Sequence, residues 1–153
     1  MQENIIIADA SCLILLEKLD MLDILHQLFG RIIITGNVAG EFGKSIPEWI
    51  RIVDPRDKMS VLILESSVDK GEASSIALAL EKPNSLLIID DLKGRRVASR
   101  YGINITGTFG ILVDAKNEGI IPEIKPVLEK IRQTNFRFSK KIENEILKQA
   151  DEY

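Results

Sequence analysis

Cysteine and histidine each occur once in this chain of 153 residues, as Cys12 and His26. No intrachain disulfide can form, which fits a reducing compartment. A zinc site of the His/Cys type cannot be built from one of each. A Ser-His-Asp nucleophile would depend wholly on His26, which shares helical spacing with Leu22, Leu25 and Leu28 and is read as structural. A basic excess is also missing. Lys plus Arg number 20 against 23 Asp plus Glu, a formal net charge of −3. This excludes the broadly basic surface of a tight, non-specific DNA binder, but not a nucleic-acid enzyme with a local basic patch. No apolar run approaches the roughly 18–20 residues needed to span a membrane. Met1-Gln2-Glu3-Asn4 has no positive residue and leads straight into a strand, so no signal peptide is expected. The expected setting is cytoplasmic, with no membrane partner.

What remains is a strand–helix alternation. Ile5-Ile6-Ile7-Ala8 reads as a buried strand, and the leucines at 13, 16, 19 and at 22, 25, 28 mark helical faces. Gly30 stops the second helix, and a strand follows at 31–35. Asn37 is the expected cap of a short helix running to Gly43. Residues 49–53 form a candidate short strand and 58–65 a short helix. Asp69 begins the clearest helix, broken at Pro83-Asn84. Further strands are expected at 86–89 and 103–106, and helices at 92–100, 108–117, 122–132 and 139–149, the last capped by Ser139. The pattern implies one α/β domain, a central parallel sheet flanked by helices on both faces, with right-handed crossovers. Residues 1–119 would form the core. Residues 120–153 would be a helical extension packed on that core or on a second subunit.

Acidic residues recur where the strands should end. Asp9 follows the first strand, Glu41 lies beyond the second, Glu72 opens the helix after Asp69, and Asp90-Asp91 follow Leu86-Leu87-Ile88-Ile89. In open parallel sheets the ligand crevice lies outside the carboxyl ends of the strands. Carboxylates gathered there repel one another unless a cation or protons intervene, which points to a hard ion, Mg²⁺ or Mn²⁺. Each acid also has a local explanation. Asp9 fits a helix N-cap. Glu41, in the first turns of its helix, would suit the macrodipole. Asp69-Lys70-Gly71-Glu72 fits a capping box, although Glu72 also falls on the buried stripe with Ile76 and Leu80, where an unpaired carboxylate is costly. One of Asp90 and Asp91 can cap the next helix, leaving the other with no cap to make. Lys93, Arg95, Arg96 and Arg100 then supply a basic helix, either a solvated face or a rim that holds phosphates.

At these residues the chain resembles PIN-domain proteins, a group that includes the VapC-like toxins of toxin–antitoxin pairs. The matching segments are Ile6-Ile7-Ala8-Asp9-Ala10-Ser11, Val38-Ala39-Gly40-Glu41-Phe42, Gly71-Glu72-Ala73-Ser74-Ser75-Ile76-Ala77-Leu78-Ala79, Leu87-Ile88-Ile89-Asp90-Asp91-Leu92-Lys93-Gly94-Arg95-Arg96-Val97-Ala98 and Ile105-Thr106-Gly107-Thr108-Phe109-Gly110-Ile111-Leu112. The resemblance implies a nuclease fold in which Asp9, Glu41, Glu72 and Asp90 are catalytic and hold metal, with Asp91 as an alternative ligand. Ser11 and Thr106 would line the pocket. Glu72 stands where many PIN toxins carry aspartate, and Asp90-Asp91-Leu92-Lys93 replaces the usual Asn-x-x-Asp stretch.

The reading is a Mg²⁺- or Mn²⁺-dependent ribonuclease, the toxin of a toxin–antitoxin pair. Its expected partners are RNA, an antitoxin protein and a further copy of the chain, with RNA held by Lys93, Arg95, Arg96 and Arg100. The alternative is a non-catalytic module that binds nucleic acid or protein. A phosphoacceptor domain ranks below both, since receivers place an acidic pair after the first strand.

Overall fold

The order of the parallel strands decides where a site can lie. In the computed structural model, which describes residues 4–153, β1 (Ile5–Ala8) is central. It pairs on one side with β2 (Ile32–Ile34), which pairs in turn with β3 (Ile50–Ile52). On its other side β1 pairs with β4 (Ser85–Ile88), and β4 with β5 (Asn104–Thr106). All pairs are parallel, and the order is β3-β2-β1-β4-β5. The stretch 1–3, read above as leading into the first strand, lies outside the described residues.

The helices are α1 (Ala10–Lys18), α2 (Asp23–Phe29), α3 (Gly36–Phe42), α4 (Lys58–Leu64), α5 (Lys70–Leu80), α6 (Leu92–Arg100), α7 (Thr108–Asn117), α8 (Lys125–Arg132) and α9 (Lys140–Gln149). Side chains alternate across a strand, and β1 divides its residues accordingly. Ile6 and Ala8 join a core with Leu13, Leu25, Val38, Ile111, Ile131 and Ile146, which brings α1, α2, α3, α7, α8 and α9 to one face. Ile7 joins Leu64, Ile76, Leu87, Ile89 and Val97 on the other, with α4, α5 and α6. Ile7 and Leu87 are register partners and fully buried. Burial of side chains of this size contributes about 1.5–3 kcal/mol each. The two carboxyl-terminal helices therefore pack on the core of their own chain. Among the described residues no helix is long and apolar enough to cross a membrane.

Two expectations need correction. Thr35, not Asn37, caps α3: its hydroxyl accepts from the Val38 N–H at 3.2 Å, while Asn37 is already helical and exposed. The helix expected from Pro122 begins at Lys125, with Pro126 in its first turn, where a missing N–H costs nothing.

Candidate functional site

The sheet reverses its winding between β1 and β4, which leads outward to β3 on one side and β5 on the other. A crevice opens at such a point outside the carboxyl ends of the strands. The Asp9 N–H donates to the Ile88 carbonyl at 2.9 Å, so the two strand ends lie side by side. Asp9 and Asp90 are thereby delivered to one place.

Asp9 occupies the cap position of α1 with extended backbone, yet its side chain makes no capping hydrogen bond. It is 4% exposed, and its Oδ1 has no partner among the described residues. Burial pushes its pKa up to about 7. Asp69, Glu41 and Asp90 add to that rise, against a lowering bond from the Ala10 N–H.

Glu72 shows the same isolation. Half of the expected capping box forms, since Asp69 accepts from the Glu72 N–H at 2.9 Å. The Glu72 carboxyl itself is buried, and its Oε2 has no partner among the described residues. Burial raises its pKa first, then the bond to the Asp69 carboxyl and the charges of Asp69, Asp91 and Asp9. It lies against α6, where a Cβ on Gly94 would fall 2.4 Å from Oε2. Only glycine lets the helix approach that closely.

Glu41 stands at the rim. It is the last residue but one of α3, where the macrodipole disfavours an acid, so the expected placement in the first turns is wrong and helix stability does not account for it. The Thr35 hydroxyl lies 2.7 Å from that of Ser74, which donates to the Gly71 carbonyl at 2.9 Å, and these bonds fasten α3 to α5. A Cβ on Gly71 would lie 2.3 Å from Glu41 Oε1. Burial and Asp69 raise the Glu41 pKa, and the Gly71 N–H opposes them. Asp69, read from sequence only as a cap, thus acts on Asp9, Glu41 and Glu72 alike. Its only signal in the sequence was its place one helical turn before Glu72.

The acidic pair is differently engaged. Asp91 caps α6, accepting from the Gly94 N–H at 3.0 Å. With Asp91 as that cap, Asp90 is the member of the pair left over, yet it has a cap to make eighteen residues on. Its Oδ1 accepts from the Thr108 N–H at 2.7 Å and its Oδ2 from the Thr108 hydroxyl at 2.6 Å, at the start of α7.

A family profile described as PIN domain matches residues 5–152. The chain belongs to the PIN-domain family. No curated protein matches it. PIN domains are generally nucleases and typically use divalent metal ions.

The oxygen donors suit such an ion, since hard cations take carboxylates. Among the described residues no three of the acidic, histidine or cysteine side chains are gathered closely enough to hold one by themselves. The two orphaned oxygens on Asp9 and Glu72 are nonetheless carboxylate donors of the kind a hard divalent ion takes.

The remaining expected site residues lie on α1, β5 and α6. Ser11 is exposed on the first turn of α1. Thr106 ends β5, with its hydroxyl 2.4 Å from where a Gly110 Cβ would be. Arg95 turns inward, donating to the Ile89 carbonyl at 2.8 Å. Lys93, Arg96 and Arg100 are exposed. Arg95, Arg96 and Arg100 line a shallow depression of about 550 Å³ with Leu92, Ser99 and Ile105. His26 stands apart from this chemistry, whereas Cys12 lies beside Thr108 and near Asp90 and Asp9. His26 Nδ1 lies 2.6 Å from the Gly30 carbonyl, and its ring stacks on Trp49 at 5.1 Å. Cys12 is fully buried, which drives its thiol pKa far up and keeps it neutral.

Proposed function

We propose that this PIN domain is a Mg²⁺- or Mn²⁺-dependent endoribonuclease. The observation that carries the reading is the pair of buried, unpartnered carboxylate oxygens, Asp9 Oδ1 and Glu72 Oε2, at the switch point of the sheet. A buried polar atom without a donor is costly, and a divalent cation held by these carboxylates would offset that cost. When bound, such an ion supplies Lewis-acid polarisation of a phosphoryl oxygen and activation of water. Asp9 and Glu72 hold it. Glu41, exposed at the rim with a raised pKa, accepts the proton of the attacking water. Asp90 adds charge to the pocket while fixing Thr108, and Asp91 fixes α6 beside Glu72. Lys93, Arg96 and Arg100 hold flanking phosphates; Arg95 orients the strand end through Ile89.

The test is cleavage of single-stranded RNA by purified protein with Mg²⁺ or Mn²⁺, with chelator, and with Asp9→Asn. Cleavage that persists unchanged in chelator or in the variant would sink the proposal. The resemblance to VapC-like toxins extends it to a toxin whose antitoxin covers the crevice in the cytoplasm. Growth arrest on expression of the parent chain, absent with Asp9→Asn, is the expected result. The second reading, a non-catalytic module, draws on Asp90 and Asp91, both spent as caps. It requires that no divalent ion stabilise the protein.

A further inference from the structure

Residues 130–141 hold five of the chain's 20 cations and none of its 23 acids, in a chain whose net charge is −3. The five are Lys130, Arg132, Arg137, Lys140 and Lys141, and Phe136 and Phe138 interleave them. The fold fixes where this run lies. Both phenylalanines pack edge-on against Phe109, with centroids 5.6 and 5.2 Å away. Phe109 directly follows Thr108, the residue whose N–H and hydroxyl hold Asp90. Lys18, the last residue of α1, donates to Asn135 at 3.2 Å, and α1 begins beside Asp9. Two helices that leave the acidic crevice therefore both hold the basic run.

Contacts within the chain account for only part of this charge. Arg132 pairs with Glu143 and lies 4.4 Å over the Phe138 ring. Arg137 donates to the Thr134 carbonyl at 2.8 Å. Lys140 is 3.9 Å from Glu143. Lys130 and Lys141 are exposed, and neither has a side-chain partner among the described residues. Lys140 and Lys141 also sit in the first turn of α9, where the macrodipole favours acids, so helix stability does not explain them. A polyanion does.

We infer that residues 130–141 form an RNA-binding strip that grips the phosphates of a single strand extending from the acidic crevice, anchored there by Phe109, Phe136 and Phe138. Cations that track a backbone are usual equipment for single strands, and here the phenylalanines are packed against the core and serve to fix the strip rather than to stack bases. The choice of RNA rests on the nuclease reading. The strip itself is tested without cleavage.

Binding of a fluorescent oligouridine is measured in chelator over a range of salt, for the parent and for Lys130→Ala with Lys141→Ala. Single strands give a slope of about 0.7 per phosphate neutralised, so the double variant should lose about 1.4 from the slope of log K against log salt, with weaker affinity throughout. Arg31→Ala with Lys82→Ala makes the same charge change before β2 and before β4, at the opposite ends of the strands, and should leave the slope intact. An unchanged slope in the first pair overturns the inference, as does an equal fall in both pairs. Polyglutamate bound as tightly as oligouridine would reassign the strip to an acidic protein segment. The stabilisation given by Mg²⁺, read by thermal unfolding of the same proteins, reports on the crevice alone. Its absence from the parent would count against the metal reading and not against the strip.

Discussion

Asp9 and Glu72 reach the crevice from β1 and α5, Asp90 and Asp91 from the end of β4. The first two are buried, each with an oxygen that meets no donor among the described residues. Asp90 and Asp91 stand less buried, and their oxygens close the first turns of α7 and α6. A carboxylate with its donors nearby keeps its charge cheaply, whereas one without them is held against its own solvation. The comparison teaches which acids the fold explains and which it does not. Capping suffices for the pair after β4. Nothing among the described residues suffices for Asp9 and Glu72, and buried carboxyls with raised pKa make a candidate functional site.

Activity breaks this comparison most sharply. Loss of a residue that merely orients a metal ligand typically costs 10–100-fold, so Asp9→Asn and Glu72→Gln should each reduce metal-dependent RNA cleavage by more than about 100-fold. Asp91→Asn, which weakens a helix cap and removes one charge near Glu72, should stay well within that lower range. Initial rates at saturating Mg²⁺ decide it. Equal losses at all three positions would erase the distinction.

Stability gives the next largest effect and does not require a substrate. Mg²⁺ at a hundredfold excess over its Kd should stabilise the parent by about 2.7 kcal/mol, and Asp9→Asn should lose most of that gain. In chelator the linkage to pH runs the other way from an ordinary ion pair. The Asp9 pKa is raised from 3.8 to about 7 on folding, so the folded chain holds the proton more tightly than the unfolded one. Stability from this group is fully present below about pH 4 and is lost as pH rises to about 7, with no further change above. Thermal unfolding in chelator at pH 5 and pH 8 should therefore show a larger fall for the parent than for Asp9→Asn. Parallel curves would remove Asp9 from the set of strained acids.

The glycines sharpen the contrast at closer range. A Cβ at Gly94 would lie 2.4 Å from Glu72 Oε2 and 2.7 Å from Ile89 Cδ1, both buried. Gly94→Ala should cost about 1–3 kcal/mol, the usual range for an overpacked site, and should reduce the Mg²⁺ gain by displacing the carboxylate. Gly40, beside Glu41 on α3, meets nothing within 4 Å. Gly40→Ala should stabilise by about 0.4–1 kcal/mol through the unfolded state. Denaturant midpoints for the two variants, moving in opposite directions, are the expected result.

These contrasts also mark what the sequence could show. Unbroken apolar runs at Ile5-Ile6-Ile7-Ala8 and Leu86-Leu87-Ile88-Ile89 sufficed for buried parallel strands, because burial on both faces leaves no alternation. Asp69 and Ser139 read as caps since the partner N–H lies three residues away. The strand order did not follow from the pattern, and with it went the knowledge that β1 and β4 are neighbours. Asp90 looked uncommitted because its donor, Thr108, is eighteen residues distant. Glu41 looked adequately placed while its helix was thought to begin at Asn37. The cap at Thr35 moved it to the opposite pole of the dipole. Local rules found the elements and the acids. Which acids were satisfied depended on contacts between elements. The basic run at 130–141 is legible from composition alone, but its place beside α1 and α7 is not.

A cap variant tests the satisfied half of the comparison. Asp90→Ala removes the acceptor of the Thr108 N–H and hydroxyl at the start of α7. Thr108 is fully buried, so no water replaces the lost bonds. Loss of a capping acceptor typically costs about 0.5–2 kcal/mol, with the upper end expected here because of that burial. Asp90→Asn retains an acceptor for the N–H and should cost less. The sign matters more than the size. In chelator, Asp90→Ala should lower the unfolding midpoint, while Asp9→Asn should raise it by removing a buried charge that has too few donors. Thr108→Val separates the cap from the charge: it removes the hydroxyl donor but keeps the N–H and the Asp90 carboxylate, and should destabilise without altering the Mg²⁺ gain. If Asp90→Ala instead raised the metal-free midpoint, the Thr108 bonds would be too weak to offset repulsion from Asp9. Asp90 would then belong with the strained acids rather than with the caps.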